Sequence, residues 1–457
     1  MNTRVSRPLA LAGAALLLAL VPIPFLGDLR PRIPTLLVLW LVAHGAYLGA
    51  ARHVLRHPRA MGAAATGTAT VPGAAAARSG RPGAFAWILG VGLLARLLLL
   101  PTAPSLSEDV YRYLWDGRLV ASGVNPFPHA PSDPALTRFH DRLLGRLNHP
   151  DVRTIYPPGA QMLFAAAAAI TPEPLTWKLL LLALEGLLLV SLRSLLRRRG
   201  LPEERLLLYY WNPLVIVESF GSGHVDLAAA AFLLAALALQ ERRRPVWAGL
   251  AFGLSILTKY VPALLAPVWA RRGTGRLLLT SLGVILLLGA PFAGAGSSLW
   301  TGLANYSRHW EFNGSVYPLL RAAGIGGDAA RLLLAAALAA CALIVGWRVR
   351  PASAAALATF TALALLSPTL FPWYLTPIAA LLPLHPDAGW LVATGLVPLS
   401  YVTLPGYAAG GVWRLPAWVA WAEYGTLALV WGAAWVSRRR QAARPREEAW
   451  RTESPPT

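Results

Sequence analysis

Four polar clusters stand out in an otherwise apolar chain. The first runs Ser107-Glu108-Asp109-Val110-Tyr111-Arg112-Tyr113-Leu114-Trp115-Asp116-Gly117-Arg118. Two adjacent carboxylates can divide labour: one deprotonates a nucleophile while the other holds an acceptor hydroxyl or a metal. The same residues also read as a helix start, with Ser107 as cap and the acids favoured in the first turn by the helix dipole. On a helix, Glu108, Arg112 and Trp115 share one face, and Asp109, Tyr113 and Asp116 lie close to another. The second cluster spans Asn212 to Asp226. Its Glu218 falls inside an apolar run, where an ionisable group is costly and usually faces a cavity or a partner. His224 and Asp226 follow, beside Gly221 and Gly223, which let backbone approach closely. The alternative is a turn between two helices with Asp226 as the cap. In the third, Leu257 to Pro262, Lys259 stands next to a proline break. It can neutralise a phosphate or snorkel to the interface. The fourth, Ser367 to Leu375, carries Trp373 and Tyr374, which also fit an aromatic belt. Glu185, in mid-span, has no chemical role here and is expected to pair with a neighbouring helix. No P-loop, dinucleotide fingerprint, HExxH or GxSxG is present, so nucleotide-driven transport has no support.

These clusters need elements to hold them, and composition says which. Of 457 residues, 56% are apolar and 14% charged, and mean hydropathy is +0.51. An average soluble domain is about 25% charged. The balance excludes a disordered chain, a collagen-like repeat and an ordinary soluble enzyme, and points to an all-α, polytopic membrane helix bundle of about 12–14 spans. Cys341 is the single cysteine, which excludes a disulfide framework and a thiol metal site. The net charge of +20 raises nucleic acid as a partner. The arginines, however, fall in short groups between apolar runs, such as Arg197–Arg199, Arg242–Arg244 and Arg438–Arg440, the pattern of cytoplasmic loops. Nucleic acid is therefore set aside, and the bilayer is the expected surrounding.

With a cytoplasmic N-terminus, nearly every arginine group lies inside, the C-terminal tail included. Pro158–Ile170 is then a helix at the outer surface rather than a span. Four parts follow: residues 1–83, two spans and a basic linker; 84–293, a bundle containing the outer loop 102–157; 294–437, a second bundle with the outer loop 294–328; and 438–457, a basic tail. The loop 102–157 holds six of the 21 acidic residues. It is expected to carry short surface helices, and long structured loops in compact proteins are usually functional. The loop 294–328 carries Arg308 and His309. All four clusters fall on the outer side under this one topology. The site is then outer-facing, acidic at Asp109 and cationic at Lys259 and Arg308, above an apolar bundle. That arrangement suits a lipid-linked phosphate donor.

At these residues the chain resembles the bacterial C-fold (GT-C) polytopic glycosyltransferases that use polyprenyl-phosphate sugars. The likeness is to polyprenol-phosphate-mannose-dependent α-mannosyltransferases and glycosyltransferase family 87. The stretches that carry it are SEDVYRYLWDGRL (107–119), GVNPF (123–127), NHPDVRTIYPPGAQ (148–161), NPLVIVESFGSGHVD (212–226), LTKY (257–260) and SPTLFPWY (367–374). The resemblance implies a carboxylate of the first outer loop as general base, Asp109 or Glu108, with Asp109 preferred because its shorter side chain is better fixed. It implies inversion at the anomeric carbon, with Lys259, Arg308 or His309 stabilising the departing phosphate. Arg112, Asp116, Asn125, Tyr156, Glu218, His224, Asp226, Trp373 and Tyr374 are the expected substrate-binding residues. No carboxylate cage is visible, so no metal or other cofactor is expected, although some superfamily members need a divalent ion.

The reading is a multi-pass cell-membrane glycosyltransferase with both termini cytoplasmic. It moves a hexose, by resemblance mannose, from a polyprenyl-phosphate donor to an extracytoplasmic glycan or glycolipid acceptor. Its rivals are a lipid-linked-sugar flippase, which needs no paired outer acids, and a glycan polymerase or ligase using pyrophosphate-linked donors, which should carry more outer arginines.

Overall fold

The computed structural model describes residues 5–56, 82–271 and 273–452, with side chains through Arg440. Most of the expected linker, 57–81, lies outside the described residues. The fold is all-α. Among the described residues the only β pairing is a pair of isolated bridges, Phe312 and Asn313 with Thr369. We label α1 Arg7–Leu20, α2 Ile33–Arg56, α3 Pro82–Leu99, α4 Asp109–Ala121, α5 Pro158–Ala168, α6 Pro174–Arg198, α7 Asp226–Glu241, α8 Pro245–Thr258, α9 Gly275–Gly289, α10 Ser298–His309, α11 Gly327–Arg348, α12 Ala352–Leu366, α13 Ala388–Leu396 and α14 Thr426–Thr452.

Among the described residues six helical stretches are long and apolar enough to cross a membrane: Arg7–Leu26, Arg30–Arg56, Pro174–Arg198, Gly275–Ala295, Gly327–Arg348 and Ala388–Ala408. Several of the other expected spans are short or broken. The run 205–222 is divided at Asn212-Pro213, where Asn212 Oδ1 accepts from Leu214 N–H at 3.1 Å and caps the next turn. That turn passes into a single π-helical turn, Val217–Gly221, and the chain bends 119° before α7. Gly223 takes φ +84° at the bend, a left-handed value that costs glycine nothing. The break at Lys259–Pro262 likewise separates α8 from a short returning segment, Val261–Ala270.

Close helix contacts are made where the chain is small. A Cβ on Gly249 of α8 would meet the Leu277 carbonyl of α9 at 2.4 Å, and one on Gly253 would meet the Ser281 carbonyl at 3.0 Å. Glycines four apart let two backbones approach in a medium that provides no hydrophobic drive between helices. Ser281 Oγ donates to the Gly249 carbonyl at 2.9 Å across the same seam. Glu185 of α6 meets Arg96 of α3 in a two-point ion pair of 2.6 and 2.7 Å, both side chains fully buried. This is the expected neighbouring-helix partner.

The bundle has two chemically distinct ends. At one, Arg199 binds Glu241 at 2.5 Å and Ser353 at 2.8 Å, tying the ends of α6 and α7 to the start of α12. At the other lie Asp226, which begins α7, and Lys259, which follows α8, on the wall of a large cavity. The arginine groups and the cavity therefore sit at opposite ends of α7 and α8.

Candidate active site

The cavity measures about 510 Å³. The N-terminus of α4 supplies its acidic corner. Ser107 Oγ accepts from Asp109 N–H at 3.2 Å, so Ser107 does support the helix start. Among the described residues no side chain donates a hydrogen bond to the half-buried Asp109 carboxylate, which lines the cavity. Glu108 lines it too, 3.4 Å from Arg30. Burial pushes the Glu108 carboxyl above its usual range; Arg30 pulls it back, and neighbouring Asp109 pushes it further up. Burial, and then the charge of Asp109, also holds the Tyr113 and Tyr156 phenols well above the usual tyrosine range. Both phenols line the same cavity as the carboxylate.

Beneath this corner a buried polar knot fixes α4 to its loop. Arg112 Nε donates to Asp116 at 2.8 Å and its Nη1 to the Val152 carbonyl at 2.8 Å. Gln161 Nε2 donates to Asp116 at 3.1 Å and to Thr154 at 2.9 Å. Asp116 is thus occupied in holding Arg112, which itself lines the cavity. The helix α5 lies against α4 so closely that a Cβ on Gly117 would sit 2.4 Å from the Phe164 carbonyl.

The opposite wall is cationic and aromatic. Lys259 Nζ donates to Asp226 and stands 4.2 Å over the Tyr374 ring. An acid in the first turn of α7 and a cation at the end of α8 are both where the helix dipoles favour them. The Tyr374 hydroxyl meets that of Tyr306 at 2.5 Å. Trp373 stacks on Phe371 at 4.6 Å and 2° on one side and on His224 at 3.7 Å and 12° on the other.

Glu218 and His224 lie one layer behind the wall. Glu218 Oε2 is 3.1 Å from His224 Nδ1, and Tyr401, which lines the cavity, donates to Glu218 Oε1 at 2.8 Å. They reach the cavity through Trp373 and Tyr401 rather than directly. Two other expected residues stand apart. Arg308 is exposed on α10 and does not line the cavity. Tyr306 and His309, on one face of that helix, do line it, and two residues on from Tyr306 the helix has turned about 200°. Asn125 bridges the loop to the end of α9, its Nδ2 donating to the Phe292 carbonyl at 3.2 Å while its Oδ1 accepts from Phe127 N–H at 3.1 Å. Tyr156 and His309 remain on the wall. Sequence reasoning missed Arg30 and Arg153, which line it as well. A usable signal for Arg30 was its place in the Asp28–Arg32 turn, on the same side as the outer loops.

One comparison with known proteins speaks to this arrangement. A family model described as the alpha-(1->6)-mannopyranosyltransferase N-terminal domain, the MptA_B family, matches residues 32–272. The chain belongs to that family. The matched stretch covers more than half of the chain and includes Asp109, Glu218, His224, Asp226 and Lys259, whereas the Trp373 wall and α10 lie beyond it. No curated protein and no solved structure matches. Membership in the mannosyltransferase family makes the protein a membrane glycosyltransferase, with a sugar donor and an acceptor as its substrates.

Proposed function

We propose that the protein transfers mannose from a polyprenyl-phosphate donor to an extracytoplasmic glycan or glycolipid, with inversion. The observation that carries the reading is the pairing, in one cavity, of an unengaged carboxylate at Asp109 with a cation at Lys259. Asp109 takes the proton of the acceptor hydroxyl as its oxygen attacks the anomeric carbon. The bond from that carbon to the phosphate oxygen breaks on the opposite face, and polyprenyl phosphate leaves with the electron pair. Negative charge grows on the phosphate as it leaves, so a fixed cation is worth more in the transition state than in the ground state. Lys259 and His309 serve it, and Arg30 and Arg153 add positive potential. Trp373, its two faces covered by Phe371 and His224, and Tyr374 form the aromatic wall against which the sugars lie, and Glu218 with His224 holds that wall. Glu108 supports the acceptor.

The proposal places the cavity outside the cell membrane and both termini inside, in keeping with the separation of the arginine-rich end from the cavity. It includes no resident metal: among the described residues no three His, Cys, Asp or Glu side chains are grouped to hold one. The test supplies purified protein with radiolabelled polyprenyl-phosphate and polyprenyl-pyrophosphate sugars, mannose and glucose forms of each, and membrane acceptor lipids. Transfer from polyprenyl-phosphate mannose is expected. Turnover confined to the pyrophosphate donors, or to glucose, contradicts the proposal.

A further inference from the structure

A second cavity, about 360 Å³, lies on another face of α4. Asp109, Arg112 and Tyr113 look into the catalytic cavity, whereas Tyr111, Leu114 and Arg118 look into this one. Arg142 and Arg146 from the loop and Glu173 and Pro174 at the start of α6 complete its polar rim. Its acids are partly engaged: Asp141 accepts from Arg118 Nη1 at 2.5 Å and from Leu143 N–H at 2.9 Å. The arginines outnumber them. Arg146 lies 4.8 Å over the Tyr111 ring, and Arg118 Nε is buried with no hydrogen-bond partner among the described residues.

Directly below this rim α6 turns an apolar stripe outward. Leu175, Leu179, Leu187 and Val190 are exposed by 47%, 49%, 38% and 68%, and at about 100° per residue they fall within about 120° on one side of the helix. The same helix is among those long enough to span a membrane. An arginine-lined cavity at the head of a lipid-facing stripe has the two halves of an amphiphile's chemistry, in the right order.

We propose that this cavity seats an anionic phospholipid, its phosphodiester at Arg142 and Arg146 and its acyl chain along Leu175 and Leu179 of α6. The lipid clamps the face of α4 opposite Asp109, away from the donor. The inference rests only on the membrane reading and not on the reaction.

The test measures thermal stability of the purified full-length protein in detergent against added lipid. Phosphatidylglycerol should raise the melting temperature saturably, and phosphatidylcholine should do so much less. In Arg142→Gln/Arg146→Gln the half-saturating concentration of phosphatidylglycerol should rise about tenfold or more, since each basic residue near an anionic headgroup contributes ~1 kcal/mol. Arg438→Gln/Arg439→Gln, which removes the same charge at the other end of the bundle, should behave as wild type. An equal response to both lipids, an unchanged response in the first double variant, or the same response to soluble glycerol phosphate or to a neutral oligosaccharide overturns the proposal.

Discussion

Lys259 and Asp226 form an ion pair in the wall of the large cavity, with the aspartate almost fully buried and the lysine side chain 24% exposed. The lysine binds Oδ1, and among the described residues Asp226 Oδ2 has no hydrogen-bond partner. The lysine is therefore not a simple interface anchor: it neutralises a buried acid as well as facing the cavity. Removing one partner of a buried pair strands the other charge, at about 3–5 kcal/mol, and the partial exposure of this lysine puts the cost at the low end. Lys259→Met should consequently lower the melting temperature. Lys259→Met/Asp226→Asn should recover most of that loss yet remain defective in transfer, with a raised KM for donor, a lowered kcat, or both. A double variant with unchanged kcat/KM would leave Lys259 a purely structural partner.

Glu108 offers a pH-dependent counterpart. Its native carboxyl titrates above its unfolded value because burial opposes the charge. The folded state then binds more protons than the unfolded state between the two pKa values, so stability falls as pH rises through that window. Below the unfolded value near 4.5 the difference vanishes. Glu108→Gln should thus be neutral or slightly stabilising in melts at pH 7, and indistinguishable from wild type in melts below about pH 4. Transfer should nevertheless be impaired, though less than for a change at Asp109. A clear loss of stability at pH 7 would mean that the Arg30 contact outweighs burial.

The contact of α4 with α5 can be probed by a single methyl group. Gly117→Ala places a carbon against the Phe164 backbone carbonyl, which cannot move aside as a side-chain tip could. Overpacking of this kind costs about 1–3 kcal/mol. Gly117→Ala should melt earlier and lose transfer activity, because α4 carries Asp109 at its N-terminus. Wild-type melting and kinetics would show that α5 yields freely.

Much of this was legible in the sequence. The apolar runs with intervening arginines give the helices and the two unlike ends of the bundle, and Asp109, Arg112, Tyr156, Lys259, Trp373 and Tyr374 do share one cavity. What failed depended on direction within an element. Arg308 and His309 are adjacent in sequence, but only His309 turns inward, and nothing local fixed the rotation of α10. Asn125 and Asp116 look equally available in a sequence, since hydrogen bonds to the Phe292 carbonyl or to Gln161 arise only on folding. Arg30 escaped notice because its closest partner, Asp28, is a local turn pair, while its contact with Glu108 spans 78 residues.

Orientation can be tested with the lone cysteine, Cys341, replaced by alanine. Ser132 and Ser297 are exposed on the loops at the cavity end. Single cysteines at either position should react with an impermeant thiol reagent on intact cells. Labelling only after lysis would put the cavity on the cytoplasmic side.

The role of Asp109 is tested most directly by the single-turnover rate of Asp109→Asn at saturating polyprenyl-phosphate mannose. The substitution keeps size but removes the proton acceptor. A general base contributes typically 10²–10⁴-fold, so the rate should fall by about that factor, with donor binding and melting temperature unchanged. A rate near that of the wild type would contradict the assignment of Asp109 as the base.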